Sequence, residues 1–134
     1  MIENGDRLYD NAEAIELSQF IRLFRAGVHS AHETPAELPE WLEHGARLAA
    51  RERRPWEADV RLDELARTPF PKLVISGGHS PAFDAVCDVL ADRTGAERVV
   101  LVGRGHTIPS LGEPYNELVD DFLERAEVTR RATR

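Results

Sequence analysis

The chain has 134 residues, enough for about one domain that buries roughly two thirds of its unfolded surface. Hydrophobic residues at 42% and charged ones at 31% exclude a disordered chain, and no apolar run approaches the ~20 residues needed to cross a bilayer. A formal net charge of −7 excludes a general electrostatic pull toward nucleic acid, so neither nucleic acid nor membrane is expected as a partner.

The amino terminus, M-I-E-N-G-D-R, has no basic region followed by an apolar block and gives no sign of a secretory signal. A cytoplasmic protein is expected, and the single cysteine, Cys87, on the apolar face of a helix, suits a reducing compartment. From Asn11 to Val28, residues Leu17, Phe20, Ile21, Phe24 and Val28 recur at spacings of three and four, which predicts a helix capped by Asp10 or Asn11. A second helix is expected from Pro39 to Arg53, with Leu38, Trp41, Leu42, Leu48 and Ala49 on one face and Pro55 ending it. Asp59 to Arg67 adds a short third helix, so residues 1–67 read as helical throughout.

At Thr68-Pro69-Phe70-Pro71 the prolines forbid helix continuation and favour extended chain. Lys72 to Ser76 then reads as a buried strand, followed by the turn Gly77-Gly78-His79 and a helix with Ser80 as cap and Pro81 at its first position. Gly95 stops that helix, Val99 to Val102 forms a second strand, and Tyr115, Leu118, Val119, Phe122 and Leu123 mark a last helix. Neither strand alternates with polar residues, which is how strands of a parallel sheet covered on both faces read. The fold class is therefore α/β: a helical segment over 1–67, a β-α-β-α unit with two parallel strands over 68–127, and a disordered tail over 128–134. The last helix is expected to cover the second face of the sheet, and at least one strand edge needs a further partner.

The residue with the clearest chemical meaning is His106. It follows a valine-rich strand and the flexible Gly103-Arg104-Gly105, which places it at the carboxyl rim where ligands collect in open parallel sheets. His79 lies near the same rim after the first strand, where it lines a pocket or polarises a turn. His29, His32 and Glu33 offer metal-ligand atoms, but H-x-x-H-E is not a zinc spacing and no cysteine pair supports it; no metal is expected. With no G-x-G-x-x-G and no phosphate-binding lysine after Gly77-Gly78, no cofactor is expected either. The basic clusters Arg51 to Arg54 and Arg130 to Arg134 read as a solvated helix end and as part of the tail.

Three segments resemble the carboxy-terminal half of an α/β-hydrolase. P-K-L-V-I-S-G-G-H-S-P-A-F at 71–83 is similar to that family's penultimate strand and loop, V-V-L-V-G-R-G-H at 99–106 to its last strand and catalytic-histidine loop, and E-P-Y-N-E-L-V-D-D-F-L at 113–123 to its closing helix. Residues 8–67 look like its helical cap, and Trp41, Phe20 and Phe24 then either line its apolar underside or pack in the core. The resemblance implies that His106 is the general base and that the parent reaction hydrolyses an ester, epoxide or carbon–carbon bond of a small molecule. It implies Ser80 at the position of the family's acid, where it cannot stabilise an imidazolium; Asp84, one turn on, is the alternative acid, or simply a charge in the first turn of a helix.

The chain departs from the family in having no G-x-S-x-G nucleophile elbow, and the oxyanion donors belong to the absent half. The expectation is a truncated hydrolase, inactive alone, whose partner is the missing nucleophile-bearing half. The alternative is a non-catalytic module on the same scaffold that binds itself or another protein through its sheet edge.

Overall fold

A computed structural model describes residues 2–30 and 32–132. The chain divides into two compact units, one ending at Asp59 and the other beginning at Val60.

The first unit contains α1 (Ile2–Asp10), α2 (Leu17–Gly27), α3 (Glu40–Ala49) and a 3-10 turn at Pro55–Glu57. Its core is Phe20, only 1% exposed, with Ile21, Ala12 and Ala46, and Leu8, Ile15, Phe24, Leu38 and Leu42 pack around them. The helix expected from Asn11 begins only at Leu17, after a turn that separates it from α1. Asn11 does not start α2; its Nδ2 donates to the Arg7 carbonyl oxygen at 2.7 Å and so closes the end of α1. Trp41 is also displaced from the expected face, being 72% exposed with Leu48 on the same outer flank. Leu38, Leu42, Ala46 and Ala49 form the buried stripe, and Trp41 lies about 100° around the helix from Leu42.

α1 has few apolar residues and is held by residues far along the chain. Arg54 Nη1 donates to Asp6 at 2.6 Å and Nη2 to Asp10, so this arginine is a clamp and not part of a solvated run. Trp56 Nε1 donates to the same Asp6 oxygen at 3.1 Å, and the Tyr9 ring stands edge-on to Trp56 and Phe20, with centroids 5.6 and 6.0 Å away. T-shaped aromatic pairs of this kind stabilise beyond the area they bury.

The second unit contains α4 (Leu62–Arg67), β1 (Leu73–Ser76), α5 (Pro81–Thr94), β2 (Glu97–Val100), a 3-10 turn at Ile108–Leu111 and α6 (Glu113–Ala132). The strands are parallel, as expected, with Val74 opposite Arg98 and Ser76 opposite Val100. Among the described residues they form a two-stranded sheet. Pairing extends past both ends, from Glu97 N–H to the Lys72 oxygen and from Leu101 N–H to the Ser76 oxygen, both at 2.8 Å. α5 packs on the sheet and ends at Gly95, whose φ of +66° is the left-handed conformation that terminates helices.

Three expectations need correction here. α4 packs on α5 and Asp63 pairs with Arg93 at 2.7 Å, so residues 60–67 belong with the α/β unit and not with the helical segment before it. Residues 128–132 are helical, because α6 continues with a Glu127–Arg130 pair at 2.8 Å and basic residues in its last turn, where the helix dipole favours them. Residues 133 and 134 of the expected tail lie outside the described residues. α6 also contributes no buried residue to cover the sheet; it packs on the Ile108–Leu111 turn and reaches β2 through Arg125 and Glu97, 2.6 Å apart. No described helix is long and apolar enough to cross a membrane.

Gly5 tests the clamp on α1. An alanine there would stabilise an ordinary helix by up to about 1 kcal/mol, but its Cβ would lie 2.4 Å from the Trp56 ring. Because that ring is tied to Asp6, Gly5→Ala is expected to destabilise the first unit by about 1–2 kcal/mol, seen as a lower midpoint in far-ultraviolet circular dichroism melts.

Candidate functional site

Two loops leave the carboxyl ends of the parallel strands. After β1 come Gly77 and Gly78, then His79 and Ser80, and α5 begins at Pro81. After β2 the chain turns through Gly103 (φ +136°) and Gly105 (φ +57°), which delivers His106. These positive angles suit residues without a Cβ. The loops meet backbone to backbone: a Cβ on Gly77 would stand 2.1 Å from the Gly105 carbonyl oxygen.

That approach assembles an aromatic cluster. The rings of His79 and His106 have centroids 6.1 Å apart at 71°, and Phe83, from the first turn of α5, lies 5.1 Å from His106 and 5.5 Å from His79. His106 remains exposed, while both ring nitrogens of His79 are sealed from solvent. Burial against the cluster, and then the neighbouring His79, hold His106 below the ordinary histidine range. Both effects disfavour the imidazolium. His106 is therefore a neutral imidazole near pH 7, able to accept a proton from a group presented at the rim.

The other expected site residues lie elsewhere. Ser80 occupies the N-cap position of α5 but makes no side-chain capping hydrogen bond, and at 5% exposure it is interior. Asp84 accepts a hydrogen bond from Ser76 Oγ at 2.5 Å and lies 3.6 Å from Arg98 Nη2. Arg98 in turn donates to Ser76 Oγ at 2.7 Å and, through Nε, to Asp88 at 2.9 Å. Asp84 is thus a member of a part-buried charge network between α5 and the sheet, which is its bond to structure rather than to His106. The Cys87 thiol is pushed up, chiefly by burial, and so resists forming a nucleophilic thiolate.

His32 and Glu33 are exposed, and among the described residues no group of three histidine, cysteine or carboxylate side chains is placed to hold a metal. Two open clefts lie away from the rim. One is lined by Arg61, Asp63, Glu64, Arg67 and Arg93, the other by Trp41, His44 and Arg47, and neither gathers a nucleophile with a base.

His79 and Phe83 were not singled out as partners of His106 by sequence reasoning. A signal was present: both strands run into glycine and then histidine, S-G-G-H at 76–79 and V-G-R-G-H at 102–106, and parallel neighbours deliver both to one rim. Comparison with family models, with curated proteins and with solved structures finds no match.

Gly77→Ala tests the assembly. With carbonyl backbone as the obstacle, the loops must separate, so a loss of about 2 kcal/mol is expected, and the ring-current shifts that Phe83 imposes on His106 should vanish from the proton spectrum.

Proposed function

We propose that the second unit is the histidine-bearing portion of an α/β-hydrolase-type site, with His106 as general base. One observation supports this most: an accessible imidazole, held neutral, follows the second of two parallel strands at their carboxyl rim. In this reading a hydroxyl nucleophile outside these 134 residues, on a G-x-S-x-G turn, comes within about 2.6–3.2 Å of a His106 nitrogen. His106 takes its proton as the nucleophile attacks the carbonyl carbon of a small ester or of an activated carbon–carbon substrate, returns it to the leaving group, and then takes a proton from the water that hydrolyses the acyl intermediate and frees the nucleophile. Oxyanion donors come with the nucleophile. Ser80 and Asp84 stay out of the chemistry, serving the start of α5 and the Ser76–Arg98 network.

The test joins the chain to its coding neighbourhood. Alone, it should hydrolyse p-nitrophenyl esters no faster than an equal concentration of imidazole. Together with the adjacent or in-frame segment carrying G-x-S-x-G, turnover should appear and fall by about 100- to 10,000-fold in His106→Ala. Fast turnover by the chain alone, or a neighbourhood with no such segment, would refute the reading.

A second reading, self-association without catalysis, is favoured by the sheet itself. Each strand is paired on one side only among the described residues, and Val100 and Val102 beside it are 51% and 71% exposed. Open parallel edges with exposed valines suit pairing with a second copy. Sedimentation equilibrium should then give a dimer that Val102→Asp converts to monomer; a wild-type chain monomeric at every concentration removes this reading.

A further inference from the structure

A catalytic histidine ordinarily works beside a carboxylate, whereas the titratable ring in the cluster of His106 is another imidazole, His79, with centroids 6.1 Å apart. We propose that His79 is the positioning and charge-setting partner of His106, fixing its ring against Phe83 and opposing its protonation, the reverse of what an acid in that position does. The inference rests on the base role of His106 and adds how that role is tuned.

Three observations carry it. The Gly77 and Gly105 backbones bring the loops so close that the two rings share one cluster with Phe83, so His79 has little freedom to turn away. The ring nitrogens of His79 are closed to solvent, which removes it as a direct contact for substrate and leaves it to act through its neighbour. The carboxylate nearest to His79 in sequence, Asp84, is engaged by Ser76 and Arg98.

The surroundings leave His79 as the titratable group that matters to His106. From α5 the cluster receives Phe83, with Asp84 turned to the sheet network. The loop of His106 itself contributes Arg104, which is exposed. The following turn, Ile108–Leu111, has no charged residue. A carboxylate would lower the free energy of the imidazolium; an imidazole cannot, and when it carries a proton itself it repels one. The direction found for His106, downward with His79 as the second cause after burial, agrees. His106 so placed is a weaker base than one backed by an acid, and its conjugate acid is a stronger donor to a leaving group. It also stays deprotonated to lower pH.

Proton NMR titration of the full chain decides the matter, reading His106 against His44, exposed on α3. In His79→Gln and His79→Phe the His106 midpoint should move up relative to wild type while His44 stays where it was. The phenylalanine variant keeps an aromatic ring in the cluster, so a shift there reports charge and not packing. An unchanged or lowered His106 midpoint in both folded variants would overturn the proposal. Should neither variant keep the wild-type amide spectrum, the wild-type titration at low and high salt decides. Repulsion between the rings is screened by salt and burial is not, so an upward move with salt supports the pairing and a fixed midpoint rejects it. None of these readouts needs turnover, so failure here leaves the general-base reading standing, and failure of the esterase experiment leaves this one standing.

Discussion

Between Gly77 and the Gly105 carbonyl oxygen there is no room for a methyl group, and the rest of the rim follows from that. Two parallel strands place their following loops side by side, but side chains would hold those loops apart. Glycine on both allows peptide to lie against peptide, at the conformational cost such residues carry in the unfolded chain. What returns is a fixed geometry for His79, Phe83 and His106, made from segments that are more than twenty residues apart in sequence.

Beneath the rim, the Ser76–Asp84–Arg98–Asp88 network does a different task. Arg98 is a charged residue between Glu97 and Val99 in β2, and its side chain is 19% exposed. Its burial is tolerated because two carboxylates and a hydroxyl meet the guanidinium on the α5 side. Breaking such a group by removing one partner leaves an uncompensated charge, whereas the intact network fixes which face of α5 meets the sheet.

Much of the second unit was legible from the residues. Apolar runs bounded by glycine and proline marked both strands and α5 to within a few residues, and the lack of polar alternation matched their parallel pairing. α1 was hard to read because much of what holds it is tertiary: Arg54 and Trp56, some fifty residues on, grip a segment with few apolar residues of its own. Trp41 was misplaced because periodicity fixes a face only to about one residue's rotation, and Leu42 and Ala46 take the inner line. Ser80 was read from its type as a cap, yet its hydroxyl makes no such bond. His79 was legible as a rim residue, but its packing against His106 was not, because that depends on how closely the Gly77 and Gly105 backbones approach.

Both tryptophans, Trp41 and Trp56, belong to the first unit. Indole emission therefore follows the helical unit alone, with Trp56 gripped by Asp6 and Tyr9 and Trp41 open to water. The histidine-bearing unit is silent at those wavelengths. A fluorescence transition displaced from the loss of total helicity would thus reveal that the halves come apart independently, using only chromophores the chain already carries.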